Sequence, residues 1–170
     1  MKLFVRVIST LIIIVYGIET LFLAAGSIYG IVLAVNEILF GFGVTIDGST
    51  TPILDGIGRF FLGIGIIFLI ALILIAVAEV AFMVLNYVKA IKKESFEYYW
   101  TLSLTSLIAG AVNIAFILIL LIVLVNAITN EAMCKTFENI GLIMIGTNIF
   151  MGFWSILNLL SSKECVSNGW

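Results

Sequence analysis

Four long apolar blocks constrain this sequence more than any other feature. They cover about residues 7–39, 57–88, 100–128 and 140–160. Each block meets or exceeds the roughly 20 residues that an α-helix needs to cross a hydrocarbon core. Only 11% of the residues are charged and 63% are hydrophobic, whereas a soluble domain carries about 25% charged residues. The sequence therefore predicts an all-α integral membrane bundle of four transmembrane helices, a single domain spanning residues 1–170.

The pattern inside the blocks favours helices over membrane-spanning strands, because it lacks the alternation of apolar and polar residues found in barrel strands. The only proline, Pro52, lies outside every block, so none contains a proline kink. Between the first two blocks, Asp47 and Gly48 are flanked by β-forming residues, which is a hairpin-turn signal. The first block could also be a span followed by an interfacial segment, with a break near Asn36 and Glu37.

The basic residues predict the orientation of the bundle. Six of them fall on the side of both termini and two fall on the other side. The first group is Lys2, Arg6, Lys89, Lys92, Lys93 and Lys163, and the second is Arg59 and Lys135. Because positively charged loops stay in the cytoplasm, we expect both termini there, in the cell (inner) membrane. The first block exceeds the roughly 7–15 apolar residues of a signal peptide, so we expect it to be retained as a span.

The composition also excludes several function classes. Histidine is absent, which removes imidazole-ligated haem, most catalytic zinc sites and histidine-activated nucleophiles. The two cysteines, Cys134 and Cys165, have no metal-ligand spacing and are predicted on opposite sides of the membrane. A net charge of −2 without a basic cluster argues against nucleic-acid binding. We therefore expect no enzyme activity, no cofactor and no metal.

Each block contributes one strongly polar residue at a similar predicted depth. These residues are Glu19, Glu79, Asn113 and Asn148. Counted from the predicted cytoplasmic ends, they lie roughly 15–22 Å along their helices at ~1.5 Å per residue. Small residues, which let membrane helices approach closely, share their helical faces. The glycines on these faces are Gly26, Gly30, Gly65, Gly110, Gly141 and Gly152. The pattern predicts a polar layer inside the bundle, with the glycines at helix contacts.

Two interpretations of this layer stay open. In the structural one, protonated glutamic acids bond to the asparagine amides and fix helix register, at about 0.6–2 kcal/mol per hydrogen bond. In the functional one, Glu19 and Glu79 form a proton or cation site, because intramembrane acids often lie on ion paths. We expect a membrane scaffold or accessory subunit that packs against other membrane proteins or itself within the lipid bilayer. The alternative is a small proton- or cation-coupled transporter or channel that uses Glu19 and Glu79.

Overall fold

A computed structural model of the protein describes residues 2–36, 38–39, 45–46, 49–50, 52–127 and 131–167. In these residues the chain forms four helices: α1 (Lys2–Asn36), α2 (Pro52–Lys93), α3 (Glu97–Ala127) and α4 (Glu131–Ser167). Each of the four contains a stretch long and apolar enough to cross a membrane. The prediction of an all-α chain with four transmembrane-length helices is therefore confirmed.

The helix ends differ from the ends of the apolar blocks. The fourth helix begins at Glu131 and ends at Ser167, well outside the predicted 140–160, because backbone hydrogen bonding continues through polar residues at the interface. The first helix ends earlier than its apolar block, at Asn36, where the alternative interpretation placed a break. Glu37 lies outside the described residues, and residues 38–39 form a π-helical turn.

The predicted hairpin between the first two helices is confirmed by two short strands, β1 (Thr45–Ile46) and β2 (Ser49–Thr50). They pair antiparallel, with Thr45 opposite Thr50 and Ile46 opposite Ser49. The turn residues Asp47 and Gly48 lie outside the described residues. Their position between the paired strands is where an Asp-Gly turn is expected.

The helices pack unevenly. The largest contact is between α3 and α4, and the smallest between two helices is the one between α1 and α4. Over the part of the chain that the structure describes, α2 packs against α1 and α3 and makes no contact with α4. The helix α2 therefore packs on the side of the bundle away from α4, and it contributes Leu72, Met83 and Ala90 to the buried core.

The turn between α2 and α3 is tight and partly buried. Glu94 follows the last residue of α2 and adopts a positive φ of 51°, the left-handed conformation that commonly ends helices and favours glycine. Phe96 is buried, and its carbonyl accepts the backbone N–H of Trp100 at 3.0 Å in the first turn of α3. This arrangement returns the chain antiparallel to α2.

The two cysteines lie on the same helix and are unpaired. Cys134 is partly exposed near the start of α4, and Cys165 is buried near its end. They are 31 positions apart, which corresponds to about 46 Å along a helix at ~1.5 Å per residue. A disulfide between them is geometrically excluded, as the predicted topology requires.

Candidate functional site

The polar side chains of α1, α3 and α4 reach the bundle interior because they recur at helical spacing. On α1, Ser9, Tyr16 and Glu19 are buried and lie seven and three positions apart. Residues separated by three, four or seven positions share one face of a helix. The buried polar residues of the other two helices follow the same rule. They are Ser103, Ser106 and Asn113 on α3, and Asn148, Ser155, Asn158 and Ser162 on α4.

Glu19 lies at the centre of a cluster that joins three helices. The Nδ2 atom of Asn148 donates to Oε1 of Glu19, and Nδ2 of Asn113 donates to Oε2 at 3.5 Å. The exposed fractions are 5% for Glu19 and 2% for each asparagine. We call these three residues the Glu19 cluster. Each carboxyl oxygen has one amide donor, so the cluster ties α1 to both α3 and α4.

The asparagine carbonyls have a different environment from the amide groups. Asn148 also donates to the Met144 carbonyl at 3.0 Å. The Oδ1 atoms of Asn113 and Asn148 are buried without a hydrogen-bond partner among the described residues. The amide N–H groups therefore bond to the carboxyl group, and the carbonyl oxygens of the two asparagines do not.

Glu79, the fourth residue of the predicted polar layer, is not part of the Glu19 cluster. It is partly buried on α2, and its Oε2 atom is enclosed without a hydrogen-bond partner in the described residues. Glu79 and Asn148 lie on helices that do not contact each other. The hydroxyl of Tyr16, on α1, donates to the Ser106 carbonyl at 2.8 Å.

Two of the predicted packing glycines lie at the tightest contacts of α3 and α4. A Cβ atom on Gly110 would lie 2.7 Å from the Tyr16 hydroxyl and 3.6 Å from Oδ1 of Asn148. A Cβ atom on Gly141 would lie 2.5 Å from Cδ1 of Leu121. The absence of a side chain at Gly110 therefore leaves the space that Tyr16 fills next to the Glu19 cluster.

The other predicted glycines divide into two groups. A Cβ atom on Gly26 would lie 3.1 Å from Cδ2 of Leu120, and Gly30 is buried on the same helix. In contrast, Gly65 is exposed and Gly152 is partly buried, and neither would place a Cβ atom within 4 Å of another group. The structure therefore shows no close contact to another helix of this chain at Gly65 or Gly152, and their role in helix packing stays a prediction.

A second buried polar cluster was not predicted from the sequence. Nδ2 of Asn158 donates to Oγ of Ser9 at 2.9 Å and to Oγ of Ser103 at 2.8 Å. Nearby, Oγ of Ser106 donates to Oγ of Ser155 at 2.7 Å. We call these five residues the serine–asparagine cluster. Their signal in the sequence is the continuation of the Asn113 and Asn148 helical faces beyond the depth of the predicted polar layer.

Taken together, the two clusters can fix the register of three helices and can place one carboxyl group inside the bundle. In the part of the chain that the structure describes, no three acidic or cysteine side chains are grouped to hold a metal ion. No family model, no curated protein and no solved structure matches this chain.

Proposed function

We propose that the protein is a multi-pass scaffold or accessory subunit of the cell membrane, which packs against another membrane protein or a second copy of itself. The observation that carries this proposal is the asymmetry of the bundle. The Glu19 cluster and the serine–asparagine cluster fasten α1, α3 and α4 to one another. The outer half of α2 takes no part in either cluster, and none of the side chains at residues 59–68 is buried.

The exposed half of α2 combines bulky apolar side chains with glycines. Phe61 and Ile67 are 66% and 70% exposed. Gly63 and Gly65 have no group within 4 Å of a Cβ position. Small residues beside bulky ones give a surface against which a second transmembrane helix packs closely. We place the partner contact on this half of α2.

A matched pair of glycine substitutions tests this proposal. Gly65→Leu fills the proposed contact, whereas Gly146→Leu makes the same change on the exposed face of α4, where a Cβ also meets nothing. Tagged protein extracted into nanodiscs should retain a stoichiometric membrane partner or a second copy, as measured by native mass spectrometry. Gly65→Leu should lose it and Gly146→Leu should keep it. A chain that is monomeric and alone in every variant contradicts the proposal.

The proposed orientation has both termini in the cytoplasm, and it rests on the distribution of lysine and arginine. Thiol labelling in whole cells tests it. Because Cys165 is 1% exposed, the labelling site for the C-terminal side is better made by Lys163→Cys in a Cys165→Ser background. An impermeant maleimide should label Cys134 in intact cells and residue 163 only after permeabilisation. Labelling of both positions from outside contradicts this orientation.

A small proton- or cation-coupled transporter is the second candidate. The observation that favours it is the pair of acidic side chains inside membrane-length helices, with Glu19 buried on α1 and Glu79 partly buried on α2. Purified protein in liposomes should then move protons or alkali cations, and Glu19→Gln and Glu79→Gln should each abolish the flux. Flux that is equal in both variants and in the parent protein contradicts this function.

A further inference from the structure

The seam between α1 and α4 contains a continuous groove. Three cavities of about 300, 230 and 230 Å³ follow one another along it. Val15 lines the first and the second cavity, and Phe22 and Met144 line the second and the third. We call this feature the α1–α4 groove. It exists because α1 and α4 make the smallest contact between any two helices that pack together.

The walls of the α1–α4 groove are almost entirely apolar, with one exception at the middle cavity. Glu19 lines that cavity and supplies the only carboxyl group found among the residues that line the three cavities. The other polar lining residue there is Thr147, whose hydroxyl already donates to the Ile143 carbonyl at 2.9 Å. Glu19 is therefore the one acidic residue found along the groove.

The partners of Glu19 fit an ionised carboxylate. Both oxygens accept an amide N–H, from Asn113 and Asn148, and an ionised carboxylate is a pure acceptor. Along the three helices that hold the Glu19 cluster, no lysine or arginine is within ten positions of its residues. The sequence of α3 contains no lysine or arginine, and Arg6 is 13 positions before Glu19 on α1. Because an uncompensated charge in an apolar environment is costly, a cation that approaches from outside the chain stabilises the ionised form of Glu19.

The surroundings favour an organic cation over a metal ion. A metal ion needs several oxygens that converge on one point, but the amide N–H groups, not the carbonyl oxygens, face the carboxylate of the Glu19 cluster. Phe22 lines the same cavity as Glu19, and aromatic faces attract quaternary and other poorly hydrated cations. The apolar walls on either side suit hydrophobic substituents.

We propose that the α1–α4 groove binds a lipophilic monovalent organic cation, with its charge against Glu19 and Phe22 and its apolar groups along the groove. This binding activity is separate from the partner contact on α2, because the two surfaces lie on different helices. The cation enters from the lipid side, where it partitions without a tightly held hydration shell.

Equilibrium binding to the intact protein tests this proposal. Radiolabelled tetraphenylphosphonium serves as the probe, and its binding to nanodiscs that contain the full chain is compared with binding to empty nanodiscs. Tetraphenylborate, which has nearly the same shape and the opposite charge, is the control ligand. The expected result is saturable binding of the phosphonium above the lipid background and no saturable binding of the borate.

Matched variants locate the site. Glu19→Gln should weaken phosphonium binding by about tenfold or more, because it removes a desolvated charge pair. Glu79→Gln makes the same change on α2, outside the groove. It should leave the affinity within about twofold, well short of the tenfold change that corresponds to about 1.4 kcal/mol. Thr147→Phe should narrow the middle cavity and weaken binding while Glu19 stays in place.

Each alternative outcome overturns the proposal. These are phosphonium binding no greater than in empty nanodiscs, equal saturable binding of the borate, or unchanged affinity in Glu19→Gln. If Glu19→Gln does not yield folded protein, the Thr147→Phe variant tests the location of the site. The hydroxyl that it removes bonds only within α4, so the bonds between helices are kept. Unchanged phosphonium affinity in folded Thr147→Phe then overturns the proposed location in the groove.

Discussion

Asn158 offers the most direct energetic test of how the bundle is fastened. Its side chain donates to Ser9 on α1 at 2.9 Å and to Ser103 on α3 at 2.8 Å, so Asn158→Ala removes two bonds between helices. Hydrogen bonds between membrane helices contribute about 0.6 kcal/mol on average and up to about 1.7 kcal/mol. In this variant the Ser103 hydroxyl keeps its hydrogen bond to the Tyr99 carbonyl. The loss of the Asn158 bond therefore costs more at Ser9 than at Ser103. We expect the free energy of unfolding to fall by about 1–3 kcal/mol.

The assay is reversible unfolding in mixed micelles of dodecyl maltoside and sodium dodecyl sulfate, followed by far-ultraviolet circular dichroism. Asn139→Ala is the matched control, since Asn139 is an exposed residue of the same helix. Surface substitutions usually change stability by no more than about 0.5 kcal/mol. If Asn158→Ala and Asn139→Ala unfold with the same free energy, the serine–asparagine cluster does not hold the helices together.

Two further predictions concern backbone positions. Gly110→Ala should lower the free energy of unfolding by about 1–3 kcal/mol, because the new Cβ would lie 2.7 Å from the Tyr16 hydroxyl. Gly146→Ala should not lower it, since nothing lies within 4 Å of a Cβ there. Equal losses of stability in the two variants, measured in the same unfolding assay, would contradict the close contact at Gly110. Glu94→Gly should raise the midpoint of thermal unfolding by the equivalent of about 0.5–1 kcal/mol, since φ at this position is 51°. Lys89→Gly, inside α2, should lower the midpoint. A lower midpoint in both variants would contradict the turn geometry.

The helices could be predicted from the sequence because hydropathy and length determine which segments cross a membrane. Their ends could not, because hydrogen bonding extends α4 back to Glu131, into residues that no longer need to be apolar. The Asp-Gly signal was also sufficient to predict the hairpin, since the strands at Thr45–Ile46 and Ser49–Thr50 pair on either side of it.

The site was predictable only in part. Equal depth and a shared small-residue face correctly brought Glu19 together with Asn113 and Asn148. The same criteria also selected Glu79 and Gly65, because periodicity within one helix does not reveal which neighbour that face meets. The position of α2, which contacts α1 and α3 but not α4, is a property of the whole bundle. Asn158 was not predicted because it lies at a different depth from the other polar residues.

The central claim is that one carboxyl group, that of Glu19, is held by the amides of Asn113 and Asn148 inside the helical bundle. Solid-state NMR on protein in lipid bilayers, with ¹³C-labelled glutamate and ¹⁵N-labelled asparagine, measures this directly. The account predicts a separation of about 3–4.5 Å between the Glu19 carboxyl carbon and the side-chain nitrogen of Asn148, as in a direct hydrogen bond. Asn148→Leu should remove that signal. A Glu19 carboxyl carbon with no asparagine side-chain nitrogen within hydrogen-bonding range would contradict the account.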